Sequence, residues 1–154
     1  MSTATITRDT RPILVGVDGS STSVEALRTA GRLGAALNLP IRAVTTWVVD
    51  PGFGGYVPID VTGPQEVAQE ILDRALAVAF DGEPPVDLEA ALVYGPAAPT
   101  LIEQSETASM MIVGSRGLGG FRGMLLGSVS VACVHHAHCP VLVIRPEERT
   151  ADSA

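Results

Sequence analysis

Short runs of aliphatic and β-branched residues recur along this chain and alternate with longer segments of helical spacing. Any fold it adopts must accommodate that alternation. The runs are Ile13-Leu14-Val15-Gly16-Val17, Ile41 to Val49, Val86 to Tyr94, Met110 to Val113 and Pro140 to Arg145. An unbroken apolar run of about four to eight residues reads as a strand covered on both faces, the condition met in a parallel sheet. The segments between them read as helices. The first starts near Thr22, with Thr22-Ser23-Val24-Glu25 as a capping box, Val24, Leu27, Gly31, Gly34 and Leu37 as its small or apolar face, and Asn38 and Pro40 at its end. The second spans Thr62 to Phe80, with Pro64 early, Val67, Ile71, Ala75 and Val78 on one face, and Gly82 beyond it. The third covers Pro99 to Thr107, with Leu101 and Ile102 inward, and the fourth covers Ser128 to Ala137. Residues 50–64, rich in glycine and proline, are expected to form a long loop that either covers a ligand or only connects.

Strands alternating with helices imply right-handed βαβ units, and no internal repeat competes with that reading. The expected fold is α/β: a single-domain, Rossmann-like, open parallel five-stranded sheet with helices on both faces. The domain is expected over residues 12–146, with loose tails at 1–11 and 147–154. Ligands of such sheets bind outside the carboxyl ends of the strands, where Asp18, Thr46, Gly95 and Gly114 are expected.

Composition narrows the function. At 154 residues, 46% apolar and 18% charged, the chain matches one folded domain. A net charge of −7 without any basic run argues against nucleic acid as a partner. All ten cations are arginine, so a phosphate-loop lysine of the GxxxxGK[ST] type is excluded. No apolar run reaches the roughly 18 residues that would cross a bilayer, and the first residues carry no signal-like apolar core, so no membrane association and a cytoplasmic location are expected. Cys133 and Cys139 are expected to be free thiols. The Cys133-Val-His135-His136-Ala-His138-Cys139 segment fits no standard zinc spacing, so no metal is assigned to it.

The stretch Gly114 to Ser130 carries the chemistry. Glycines and hydroxyls sit where the fourth strand hands over to a helix, and unpaired amides at a helix N-terminus bind anions. Gly114 and Gly117 would let a phosphate approach the backbone, Gly127-Ser128 would supply amides and a hydroxyl, and Arg116 or Arg122 would neutralise charge. Asp18 would hold Mg²⁺, which usually takes only one or two protein carboxylates. Each residue also has a plainer reading: glycine clusters form surface loops, a carboxylate after a strand can sit in a turn or cap a helix, and arginines can be solvated. No lysine clamps a γ-phosphate and no histidine or glutamate is placed by a motif to activate water, so binding is favoured over turnover. The last apolar run would leave an edge strand open to pairing with a second chain, or to cover by the tail.

The spacing Gly114-x2-Gly117-x9-Gly127-Ser128 resembles the G-x2-G-x9-G-(S/T) motif of nucleotide-binding universal stress proteins, and the resemblance covers essentially residues 12–146. It implies ATP (or AMP or ADP) as ligand, with Mg²⁺ at Asp18. It further implies Gly16 and Val17 beside the nucleoside, Ser128, Val129 and Ser130 at the phosphates, and the adenine against Val44 to Thr46 and under Val113. Gly16 stands where some members of that family have proline. A homodimer through Val141 to Ile144 is also implied. The function to expect is a nucleotide-dependent regulatory or partner-binding module in the stress response, with at most slow hydrolysis. The alternatives are an ATPase or nucleotidyl-transferring enzyme on the same fold, and a structural dimer that binds no nucleotide.

Overall fold

The computed structural model describes residues 7–49, 63–117 and 125–147. Strands β1 (Ile13–Gly16), β2 (Ile41–Trp47), β3 (Leu88–Tyr94), β4 (Met110–Gly114) and β5 (Val141–Ile144) form one sheet in the order β3-β2-β1-β4-β5, and every pair is parallel. Helices α1 (Ser21–Leu37), α2 (Gly63–Phe80), α3 (Ala97–Gln104) and α4 (Ser128–His136) connect them, with a 3₁₀ turn at Ser105–Thr107 after α3. The chain moves outward from β1 in one direction through β2 and β3, then returns to the other side of β1 for β4 and β5. The strand order therefore switches between β1 and β4.

The central strand shows why its run is uninterrupted. Ile13 and Val15 face one core with Ala26, Leu27 and Ala30 of α1 and Leu72, Ala75 and Ala79 of α2. Leu14 faces the opposite core with Val44, Leu101, Met111, Val113 and Cys133. A strand covered on both sides cannot alternate polar with apolar residues, and β1 does not.

Several local expectations are corrected. Helix α1 starts two residues earlier than the Thr22-Glu25 box proposes: Ser20 is its N-cap and accepts from the Ser23 amide at 3.2 Å. The Thr22 hydroxyl is instead committed elsewhere, to the Arg116 carbonyl at 2.8 Å. The inward face of α1 is Ala26, Leu27, Ala30 and Gly34, while Leu37 is exposed. Asn38 closes the helix in the left-handed conformation at φ 55°, as the sequence reading requires of its end.

Helix α2 turns a different stripe inward from the one its bulkier residues suggest. Ala68, Leu72, Ala75 and Ala79 are buried, whereas Val67 and Val78 are about half exposed. Close packing of α2 on α1 is the reason: Phe80 lies where a Cβ on Gly31 would stand, 2.9 Å from its Cε1, so small residues are selected along the α1–α2 seam. Strand β3 begins at Leu88 rather than Val86, which is fully exposed beside a turn closed by Leu88 N–H donating to the Pro85 carbonyl. Helix α3 begins at Ala97, two residues before Pro99, because Pro96 already has the extended backbone of an N-cap. Most of the loop expected at 50–64 lies outside the described residues, as does Arg122.

Candidate functional site

The switch between β1 and β4 opens a crevice at the carboxyl ends of both strands, the position at which open α/β sheets bind ligands. A cavity of about 460 Å³ occupies it. Two kinds of surface meet there. The second core cluster emerges at the crevice as an apolar floor of Val44, Leu101 and Val113, flanked by Gly16, Ala97 and Val129. The β1–α1 and β4–α4 junctions supply the polar walls, Asp18, Ser20 and Ser23 on one side and Arg116, Ser128 and Ser130 on the other.

Of the residues named from the sequence, Gly16, Val17, Asp18, Val44, Thr46, Val113, Gly114, Arg116, Gly117, Gly127, Ser128, Val129 and Ser130 line this one cavity, whereas Thr45 is buried with its hydroxyl donating to the Val17 carbonyl. Gly95 does not line it either. It ends β3, two strands from the switch, and packs at φ 140° against Thr100. Sequence reasoning missed Ser20, Ser23, Ala97 and Leu101 as lining residues. The serines had a legible signal, since a helix start directly after a strand that ends in the crevice must face it. Ala97 and Leu101 had none beyond an inward helical face, because only the packing of α3 over the sheet brings them to the floor.

The two glycines that open the motif have a reason internal to the protein. A Cβ on Gly114 would stand 2.8 Å from Thr22 Cβ and 3.0 Å from the Thr22 carbonyl carbon. A Cβ on Gly117 would stand 2.7 Å from Asp18 Oδ2. Both positions are filled by the β1–α1 turn, so these glycines let the two walls of the crevice close on each other, a role the expectation of phosphate approach did not include. Gly127 differs. A Cβ there would meet nothing nearer than 3.6 Å, and the residue has φ −73° and ψ 167°.

Three helix starts reach the cavity, those of α1, α3 (through Ala97) and α4; Ser20 caps α1, whereas neither Pro96 of α3 nor Gly127 of α4 makes a side-chain cap. Ser20 Oγ accepts from the Ser23 amide, and Ser23 Oγ donates to the Ser20 carbonyl at 3.0 Å, so α1 carries a side-chain cap on one of its first-turn amides. Helix α4 begins at Gly127, which has no side chain and makes no capping bond. The amides of the first α4 turn have no intrahelical acceptor by position, and the helix dipole leaves that end partially positive. An anion in the crevice is therefore directed to α4 rather than α1. Gly127 N–H donates to the Ser115 carbonyl at 2.6 Å, which locks the start of α4 against the end of β4.

The hydroxyls are also distinguished. Ser130 is buried and donates to the Gly114 carbonyl at 2.5 Å, so its proton is engaged within the protein. Ser128 is exposed at the mouth and is the α4 hydroxyl within reach of a ligand. Asp18 is half-buried, and its Oδ1 accepts from the Ser20 amide at 2.9 Å, which turns Oδ2 toward Gly117. One carboxylate held rigidly in this way suits a cation that takes few protein ligands and keeps most of its coordination for water and phosphate.

A groove of about 480 Å³ shares Val17, Asp18 and Thr46 with the crevice and runs under Trp47, Val67 and Ile71. Two residues expected to pack α2 into the core thus line a surface recess instead. Cys133 and Cys139 are free thiols, as expected, and Cys133 is buried in the second core, where burial pushes its thiol above the usual range. Among the described residues no group of three or more His, Cys, Asp or Glu side chains is placed to hold a metal, and no helix is long and apolar enough to cross a membrane.

Comparison with known proteins places the chain in a family. Universal stress protein Rv2623 of Mycobacterium tuberculosis is 37% identical over 134 residues, covering 87% of this chain and 45% of the relative. Universal stress protein Rv1996 of the same organism is 35% identical over 138 residues, covering 87% and 44%. The chain thus spans less than half the length of these relatives. Among solved structures, a universal stress protein in complex with cAMP superposes with a TM-score of 0.66 at 27% identity, covering 89% of this chain and 98% of that one. A member of the same family from Burkholderia pseudomallei superposes at 0.65 with 26% identity, covering 90% and 98%. The model of the universal stress protein family matches residues 9–145. With the match running over most of its length, the chain belongs to the universal stress protein family.

Proposed function

We propose that this protein binds an adenine nucleotide, ATP or a monophosphate, in the β1/β4 crevice and acts as a nucleotide-dependent regulatory or partner-binding module in the stress response. The observation that carries the reading is the pairing of an apolar floor with the glycine-led start of α4, which has no side-chain cap and presents Ser128 beside it. Val44, Leu101 and Val113 suit the faces of a purine, and the first turn of α4 with Ser128 suits phosphate oxygens. The neighbour crystallised with cAMP, an adenine nucleotide, has this fold at 27% identity and supports the same ligand class here. Arg116 lies on the same wall and offsets part of the ligand's charge. Mg²⁺, held by Asp18 and phosphate oxygens, would neutralise more of it; the carboxylate's fixed orientation fits that ion.

Turnover is expected to be slow. Water activation needs a base within hydrogen-bond reach, and among the described residues the polar lining of the cavity is serines, Thr46, Arg116 and the carboxylate of Asp18. The test is direct: denature the purified protein, chromatograph the supernatant for nucleotide, and follow phosphate release from ATP over hours. We expect adenine nucleotide in the supernatant and release far below one per second. Release near one per second that disappears in Asp18→Ala would establish an enzyme instead. Neither bound nor added nucleotide associating with the protein would leave the structural-dimer alternative.

We also propose a homodimer through β5. This strand pairs only with β4 among the described residues, and Leu142 on it is 41% exposed. Val131 and Val134 of α4 are likewise exposed, at 38% and 48%, on the helix that leads into β5. An uncovered apolar edge strand of this kind pairs readily with another copy. Sedimentation should give twice the chain mass for the native protein and the single-chain mass for Leu142→Arg. An unchanged mass in that variant would place the dimer contact elsewhere.

A further inference from the structure

The two walls of the crevice are joined by one side chain that does not line it. Thr22 is in the first turn of α1 and only 5% exposed. Its hydroxyl donates to the Arg116 carbonyl at 2.8 Å, a contact between residues 94 positions apart. The same oxygen is 3.4 Å from Ser20 Oγ, which caps α1. Its Cβ and carbonyl carbon stand against the Cα of Gly114, in the space a side chain there would take. Through these contacts Thr22 connects the capped, rigid start of α1 to the peptide that precedes Gly117, on the far side of the crevice.

We propose that Thr22 is a positioning residue for the phosphate end of the site. By holding the Arg116 carbonyl, it sets where the Arg116 side chain and the Gly117 amide stand relative to Asp18 and to the uncapped turn of α4. This role rests on the nucleotide reading above. It also explains why the threonine is not used as a helix cap although its spacing to Glu25 allows one: its hydroxyl proton has a longer-range acceptor, and Ser20 already supplies the cap. The apolar floor is untouched by this linkage. Val44, Leu101 and Val113 are placed by the second core cluster, which Thr22 does not join. The base and phosphate ends of the site are therefore positioned by different parts of the protein.

That separation gives the test. Thr22→Val keeps the shape of the side chain and removes the donor, whereas Thr22→Ser keeps the donor. Calorimetric titration of each variant with Mg·ATP and with adenosine reads the two ends independently. We expect Thr22→Val to weaken ATP about tenfold, the scale of one lost hydrogen bond, and to leave adenosine within about twofold of the native value. Thr22→Ser should restore ATP affinity to within about threefold. If Thr22→Val fails to fold, Thr22→Ala is titrated in its place. Equal loss for both ligands, no loss for ATP, or failure of the serine variant to rescue would each overturn the positioning role. A native protein that binds neither ligand would instead overturn the nucleotide reading, and this role with it.

Discussion

Gly114→Val should destabilise the protein by about 3 kcal/mol and remove nucleotide binding together with it. The space for a side chain at this position is already occupied by Thr22, whose Cβ and carbonyl carbon would lie 2.8 and 3.0 Å from the new Cβ. The obstacle includes backbone, so a rotamer change does not relieve it. Helix α1 is held by the Ser20 cap and its burial of Ala26, Leu27 and Ala30 against the sheet, so it cannot withdraw cheaply. Overpacking of this kind costs about 1–3 kcal/mol, and the valine branches place it at the upper end. At roughly 2–4 °C per kcal/mol for a chain of this size, the melting temperature should fall by about 6–12 °C. Gly127→Ala is the control. Its Cβ would be 3.6 Å or more from any neighbour and its φ is ordinary, so its melt should stay within about 0.5 kcal/mol of native. Equal melting temperatures for the two variants would show that Gly114 is glycine for some reason other than the contact with α1.

The native protein should melt about 5–11 °C higher with Mg·ATP at a hundred times its dissociation constant. A ligand that binds only the folded state adds RT ln(1 + [L]/Kd), about 2.7 kcal/mol at that excess. The same size scaling converts this to the stated range. Replacing Mg²⁺ by a chelator should reduce the shift in the native protein and change little in Asp18→Asn, because the carboxylate is the proposed protein ligand of the ion. Asp18→Asn retains an oxygen able to accept from the Ser20 amide, so its turn should persist. A shift indifferent to Mg²⁺ in both proteins would remove the metal from the proposal while leaving the nucleotide. No shift with ATP, AMP or cAMP would remove the nucleotide.

Much of this architecture was legible before any coordinates. Runs such as Ile13 to Val17 and Met110 to Val113 announced strands of the sheet interior, although the equally apolar Val141 to Ile144 became a part-exposed edge strand, which composition does not distinguish. The crevice residues were legible because the glycine spacing from Gly114 to Ser128 and the acid at Asp18 are local signals at strand ends, and in a parallel sheet strand ends share one edge. The errors share a different cause. Of the face expected for α2, Ala75 is buried as read, while placing Val67, Ile71 and Val78 beside it follows side-chain size. The seam with α1 is close enough that alanines, not valines, fill it. Choosing Thr22 with Glu25 as a capping box follows a local pattern, while the hydroxyl's acceptor is 94 residues away.

By itself, the amino-acid sequence determined the βαβ alternation, the parallel sheet and the set of glycines and hydroxyls brought to its carboxyl edge, because periodicity and turn chemistry are properties of neighbouring residues. Tertiary structure alone decided how the α1 and α4 starts differ in capping. Both α1 and α4 begin at that edge with serines, and only the folded arrangement shows that Ser20 closes one while Gly127 leaves the other open. It also decided why Gly114 and Gly117 are glycines. That reason is the approach of a turn nearly a hundred residues earlier in the chain, and a contact between distant segments exists only once the sheet has brought β1 beside β4.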